Sequence, residues 1–164
     1  MPSTPLILGH RGASAIAPEN TLAAFSQAIE VGADGIEFDV RLSSDNIPVV
    51  IHDESLKRTG LRDVLVSSMS AAELMNEDVG SWFRSSRSDV TYSHERLQSL
   101  QQVQDLFQKI SGTLYIEMKC TPLEASDLAK AVVELVNENQ MLERVVVESF
   151  DLPAIEAVKQ FDSK

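Results

Sequence analysis

The sequence predicts an α/β fold built on a parallel sheet, and two observations carry that prediction. Short apolar runs alternate with amphipathic stretches of helical period, the pattern of strand–helix units. Each apolar run also closes on ionisable or polar residues. Leu6-Ile7-Leu8-Gly9 leads to His10-Arg11, Gly35-Ile36 to Glu37-Phe38-Asp39, and Val49-Val50-Ile51 to His52-Asp53. Leu114-Tyr115-Ile116 leads to Glu117-Met118-Lys119, and Val145-Val146-Val147 to Glu148-Ser149-Phe150. Polar groups gathered at the C-terminal ends of parallel strands form the catalytic face of a barrel or the ligand crevice of an open sheet.

The elements follow in order. Residues 6–9 read as a short buried strand. Residues 19–31 read as a helix with Leu22, Phe25 and Ile29 on one face and Gly32 as its stop. Residues 35–40 and 48–51 are the second and third strands. From 53 to 112 the alternation lapses. Within that stretch 70–75 reads as a short helix and 84–96 as a polar loop. Ser99 then opens a helix with Leu100, Val103, Leu106, Phe107 and Ile110 as its apolar face, and Ser99 and Gln102 have capping-box spacing. Residues 113–119 are a fourth strand. Thr121, Pro122 and Glu124 fit the N-cap, N1 and N3 positions of a helix that turns Leu128, Val132, Leu135 and Val136 inward. Residues 145–150 are a fifth strand, and a last helix begins near Pro153 with Ile155, Val158 and Phe161 as its apolar positions. No internal repeat or low-complexity tract is present.

The chain has 164 residues, 43% of them apolar, which suits one domain with a buried core. Its net charge of −11 repels nucleic acid and disfavours it as a partner. The same charge repels a phosphate-bearing ligand at long range, so an anionic ligand needs local positive charge. Cys120 is the only cysteine, which rules out an intrachain disulfide. No basic stretch precedes Leu6-Ile7-Leu8, and that run is too short for the core of a signal peptide. No apolar run has the length of a transmembrane span. The expectation is a cytoplasmic protein.

Glu37 and Asp39 are two apart on a strand and share a face. Alone, such a pair is most simply solvated or salt-bridged. Glu117 and Lys119 repeat the spacing on another strand, and three carboxylates converging at strand ends make an oxygen-rich site for Mg²⁺ or Ca²⁺. His10 and His52 both close apolar strands. A lone histidine there is commonly structural, but two beside a carboxylate cluster favour general acid/base work. Arg11 and Lys119 supply the missing local positive charge, or else are simple ion-pair partners of nearby acids. His94, in the polar stretch, reads as a surface residue. These groups suit phosphodiester cleavage: a cation polarises the phosphoryl group, Arg11 and Lys119 offset charge on its oxygens, and the two histidines exchange protons.

His10-Arg11-Gly12-Ala13 followed by Ala17-Pro18-Glu19-Asn20-Thr21 resembles the opening signature of the glycerophosphodiester phosphodiesterase family. Gly32-Ala33-Asp34-Gly35-Ile36-Glu37-Phe38-Asp39-Val40 and Pro48-Val49-Val50-Ile51-His52-Asp53 are similar to its next two blocks. Ile116-Glu117-Met118-Lys119 and Glu148-Ser149-Phe150-Asp151 are similar to two later ones. The resemblance implies a TIM-type (β/α) barrel and a divalent cation on Glu37, Asp39 and Glu117. It makes His10 and His52 the acid/base pair, places Arg11 and Lys119 on the phosphate, and implies hydrolysis of glycerophosphodiesters to sn-glycerol 3-phosphate and an alcohol. Residues 53–112 correspond to the family's insertion after the third strand, overhanging the site.

The sequence departs from the family at two points. Gln98-Ser99-Leu100 stands where the family reads Pro-Thr-Leu. About five βα units can be counted against the eight of a whole barrel. The expectation is therefore one partial barrel domain over residues 1–164, lacking the family's C-terminal third. Its open side would be covered by self-association or by a rearranged helix. An impaired fragment that binds metal and phosphodiester without efficient turnover is the alternative. A sugar isomerase-like barrel enzyme fits less well, because such sites draw further ligands from later strands.

Overall fold

A computed structural model describes residues 5–84 and 90–161, so the part of the expected polar loop at 85–89 lies outside the described residues. One six-stranded sheet comprises β1 (Leu8–His10), β2 (Gly35–Leu42), β3 (Pro48–Val50), β4 (Gln98–Ser99), β5 (Thr113–Met118) and β6 (Val145–Glu148). The helices are α1 (Leu22–Glu30), α2 (Ala71–Leu74), α3 (Leu100–Phe107), α4 (Ala125–Glu138) and α5 (Leu152–Phe161). The architecture is α/β with an open sheet. No described helix is long and apolar enough to cross a membrane.

β1, β2, β5 and β6 pair in parallel in that order. The expected third parallel strand is different. β3 runs antiparallel to β2, and β4 runs antiparallel to β3. The link from Leu42 to Pro48 is a tight turn, with the Asn46 N–H donating to Ser43 O and Asn46 at φ 60°. A parallel return needs a crossover of a dozen residues or more, which this link does not have. Four of the five expected strands, β1, β2, β5 and β6, are therefore parallel, and residues 48–51 instead form a hairpin with the outer end of β2. The hairpin returns the chain beside the site, where Ile51 N–H donates to Asp39 O at 3.1 Å.

Strand alternation directs Ile36, Phe38 and Val40 into the main core with Leu114, Ile116 and Met118. Phe25 of α1, Val103 and Phe107 of α3, and Leu128 and Val132 of α4 cover that face. Gly35 allows β2 and β5 to approach, since a Cβ there would stand 2.2 Å from Thr113 O. Arg144 ties the layers together: its guanidinium donates to Phe107 O at 2.7 Å, Ile110 O at 2.9 Å and Gly112 O at 2.8 Å. Val49, Ile51, Leu56, Val66, Leu74, Val79 and Leu97 form a second apolar cluster, which packs residues 56–97 against β3 and the residue after it.

Several boundaries moved. Leu6 and Ile7 are exposed rather than in a buried strand, because β1 pairs only with β2. α1 begins at Leu22 because the Thr21 hydroxyl accepts from Ala24 N–H and caps it there. Ser99 and Gln102 do form a capping box. Thr121 donates to the Glu124 carboxylate from both its N–H and its hydroxyl, yet the regular helix starts only at Ala125. In α5 the buried positions are Ala154 and Ala157, whose small side chains let α5 lie close to α4, while Phe161 is largely exposed.

Candidate active site

The site grows from the four parallel strands β1, β2, β5 and β6. In register, His10 lies opposite Glu37, Asp39 opposite Glu117, and Glu117 opposite Glu148. Period-two alternation turns Glu37 and Asp39 to the same face, away from the main core. Asp39 is fully buried, and Glu37 and Glu117 are nearly so. One carboxylate oxygen from each of Glu37, Asp39 and Glu117 lies within 4.8 Å of the others. Burial pushes the Glu37 carboxyl up to about 7; the Arg11 amide opposes this, and the charges of Asp39, Glu117 and Glu148 reinforce it.

The loop after β1 supplies the first base. Arg11 and Gly12 adopt left-handed backbone, φ 55° and 78°. A Cβ on Gly12 would stand 2.6 Å from the backbone of Ala24, so the turn fits only glycine there. This turn directs the Arg11 N–H at Glu37 O, 2.8 Å, and at Glu37 Oε2, 3.0 Å. The guanidinium donates from Nη1 to Glu19 Oε1 at 3.0 Å and holds Nε 3.1 Å from Asp39 Oδ2, a charge contact rather than an aligned hydrogen bond. Asn20, also left-handed and buried, donates from Nδ2 to the same Asp39 oxygen at 2.9 Å. The second base, Lys119, lies 2.5 Å from Glu117 Oε1 and 3.5 Å from Asp39 Oδ1, with its ammonium 5.5 Å from the Phe150 ring centre.

His10 is mostly exposed, with Nε2 3.7 Å from Glu37 Oε2. The Nδ1 of His52 is 2.7 Å from Asp53 Oδ1. Its backbone carbonyl accepts from Arg41 Nε at 2.8 Å. Arg58, from the 53–112 segment, makes paired hydrogen bonds with both Asp53 and Glu19. Those bonds draw Asp53 down to about 2. At Glu19 burial pushes the pKa up, but Arg58 and Arg11 outweigh it and hold the carboxyl below its usual value.

All seven residues singled out from the sequence therefore gather in or beside one site: His10, Arg11, Glu37, Asp39, Glu117 and Lys119 around the carboxylates, and His52 through Asp53, Arg58 and Glu19. The two histidines do not end equivalent strands, since β1 is parallel to β2 and β3 antiparallel. The simple ion-pair partners weighed for Arg11 and Lys119 are also present, and each base contacts Asp39 besides. His94 is a surface residue 3.3 Å from Glu95. Asn20 lies within the opening signature but was given no role there, and Arg41 and Arg58 carried no sequence signal; only their positions in space connect these three to the site. An open groove of about 520 Å³ runs from Glu117 and Lys119 past Arg41 to Phe150 and Leu152. An apolar groove of about 480 Å³ along α4, β6 and α5 shares no residue with the site.

The residues present fit a hard divalent cation. Glu37 Oε1 and Asp39 Oδ1 are buried without a hydrogen-bond donor among the described residues, and oxygens of that kind are what such a cation coordinates.

Residues 10–164 match the model of the glycerophosphoryl diester phosphodiesterase family. The chain is 34% identical over 155 residues to a glycerophosphodiester phosphodiesterase of Caldanaerobacter subterraneus subsp. tengcongensis, covering 94% of this chain and 62% of that protein. It is 37% identical over 145 residues to the enzyme of the same name from Bacillus altitudinis, covering 88% and 57%. Among solved structures, it resembles an Oleispira antarctica phosphodiesterase in complex with the product sn-glycerol-3-phosphate, with TM-score 0.88, 31% identity, and coverage of 98% of this chain and 63% of that one. A glycerophosphodiester phosphodiesterase from Agrobacterium tumefaciens gives TM-score 0.83 at 33% identity, with 98% and 64% covered. The chain thus spans less than two thirds of the length of each of these relatives.

Proposed function

This chain belongs to the glycerophosphoryl diester phosphodiesterase family, and from that premise we propose that it hydrolyses glycerophosphodiesters to sn-glycerol 3-phosphate and an alcohol. The observation that carries the reading is the meeting of three buried carboxylates, Glu37, Asp39 and Glu117, with two bases, Arg11 and Lys119, and with His10 and His52 nearby.

Glu37, Asp39 and Glu117 would hold one divalent cation, Mg²⁺ or Ca²⁺. When bound, the cation supplies Lewis acidity toward a phosphoryl oxygen and a lowered pKa for a hydroxyl or water at the site. Arg11 and Lys119 bind the phosphoryl oxygens and offset charge as it develops there. The hydrogen bond from His52 Nδ1 to Asp53 leaves Nε2 as the nitrogen available for proton transfer. One histidine accepts the proton of the attacking hydroxyl or water, and the other donates one to the departing alcohol.

We read the parallel run β1-β2-β5-β6 as part of a TIM-type barrel, and residues 53–112 as the insertion that forms one wall of the pocket within a single domain. The setting we propose is the cytoplasm, which suits a lone cysteine.

A second reading, binding of metal and phosphodiester without turnover, is favoured by one observation. Among the described residues β6 pairs only with β5, at the edge of the sheet beside Glu148. Enzyme-coupled detection of glycerol 3-phosphate from glycerophosphocholine separates the two. Steady release proportional to protein concentration is the expected result. Calorimetric binding of glycerol 3-phosphate with no release selects the second reading, and neither binding nor release rejects both.

A further inference from the structure

Arg58 is a base that the proposed chemistry does not use, yet it holds two acids that contact residues of the site. Its Nε donates to Asp53 Oδ2 at 2.8 Å and its Nη2 to Asp53 Oδ1 at 3.0 Å. On the other side Nη1 donates to Glu19 Oε2 and Nη2 to Glu19 Oε1, both at 2.8 Å. Each acid has one further partner: Asp53 Oδ1 is 2.7 Å from His52 Nδ1, and Glu19 Oε1 accepts from Arg11 Nη1 at 3.0 Å. A continuous run of charged contacts therefore leads from His52 through Asp53, Arg58, Glu19 and Arg11 to Asp39. Arg58 itself is anchored from the 53–112 segment, with its guanidinium carbon 5.7 Å from the ring centre of Trp82, whose Nε1 donates to Val79 O at 2.8 Å. Val79 belongs to the second apolar cluster, so the packing of that segment sets where Arg58 sits.

We infer that Arg58 is a positioning residue for the proposed reaction: its fork fixes Asp53, and through it the tautomer and orientation of His52, while holding Glu19 where it can share Arg11. The inference rests on the reading of His52 and Arg11 given above. A planar guanidinium, with several donors in fixed directions, can pair bidentately with two carboxylates at once, whereas an ammonium meets each through a single point contact. A lysine keeps the charge but not the fork. Without Arg58, Asp53 is free to leave Nδ1, and Glu19 is left with Arg11 alone, drawing that guanidinium from Asp39.

The test compares the wild type with Arg58→Ala and Arg58→Lys, using glycerophosphocholine hydrolysis and ¹⁵N NMR of the histidine rings. For Arg58→Ala, kcat falls about 10- to 100-fold, the usual effect of removing a group that orients a reacting residue, and KM changes less than about threefold. Added guanidinium restores part of the rate. Arg58→Lys loses rate without responding to guanidinium. In the NMR arm, the His52 ring of the wild type holds a proton on Nδ1 toward Asp53, and Arg58→Ala shows a mixture of tautomers. A wild-type kcat in Arg58→Ala, together with an unchanged His52 tautomer, overturns the inference. Should Arg58→Ala fail to fold, the rate and ring signals of Arg58→Lys decide it in the same way. Should the wild type release no glycerol 3-phosphate, the functional reading fails, and the tautomer signal still decides whether Arg58 positions His52.

Discussion

Asp39 and Glu117 stand directly opposite each other in the β2–β5 ladder, one fully buried and the other nearly so. Like charges facing across a sheet are destabilising unless a cation lies between them. Lys119 contacts both carboxylates, and Arg11 and Asn20 contact Asp39 from the other side. The pairing thus concentrates negative charge where the packing of a sheet would ordinarily place apolar residues.

Addition of Mg²⁺ or Ca²⁺ to the chelator-treated protein raises its melting temperature. A ligand at 100 times its Kd stabilises the folded state by about 2.7 kcal/mol. Asp39→Asn and Glu117→Gln abolish the increase. Scanning calorimetry with and without cation checks this, and an equal shift in both variants would place the cation elsewhere.

Cation affinity depends on pH through Glu37. Its carboxyl is pushed up to about 7 by burial, so the folded cation-free chain keeps a proton that the unfolded chain releases near 4.5. The sign follows: the stability this proton provides is present below about pH 4.5 and is lost as pH rises through about 7. A bound cation must displace the same proton, so affinity weakens below pH 7 by at most about tenfold per unit. Calorimetric titrations between pH 5.5 and 8 measure this. A flat profile would mean that Glu37 does not hold the cation.

His10→Ala and His52→Ala each lower kcat on glycerophosphocholine by about 100- to 10,000-fold, the contribution expected of one acid or base. Each leaves the melting temperature almost unchanged, since His10 is mostly exposed and His52 half-buried. Steady-state kinetics on the two variants checks the assignment, and near-wild-type rates in both would remove it.

The site was more legible in the sequence than the sheet that carries it. Glu37 and Asp39 announce a shared face because strand alternation is local, and Glu117 and Lys119 repeat the signal. The direction of β3 was not legible, because a three-residue apolar strand reads the same in both directions. The clue was the short Ser43–Ile47 link, with its Asp45-Asn46 turn. Arg58 was not legible either. It meets Glu19 across 39 residues of sequence, and its own surroundings, Lys57 and Thr59, look like any polar surface. The Thr121–Glu124 pair announces a helix start correctly as chemistry, but Pro122 and Leu123 complete only a turn before regular bonding begins.

Arg144→Ala destabilises the fold by about 2–4 kcal/mol, because it leaves three backbone carbonyls without the guanidinium they accept from. Activity measured well below the melting temperature is unaffected, since Arg144 lies at the opposite end of the strands from the carboxylates. Urea unfolding followed by circular dichroism reads the loss, and a change below about 0.5 kcal/mol would mean that water replaces the guanidinium at little cost.

The central claim is that Glu37, Asp39 and Glu117 hold the cation on which turnover depends. The direct measurement is glycerol 3-phosphate release from glycerophosphocholine by protein stripped with chelator, then resupplied with Mg²⁺ or Ca²⁺. The account predicts that stripping abolishes release, that one or both ions restore it, and that neither restores it in Glu117→Gln. Full activity in thoroughly stripped protein, or in Glu117→Gln, would contradict it.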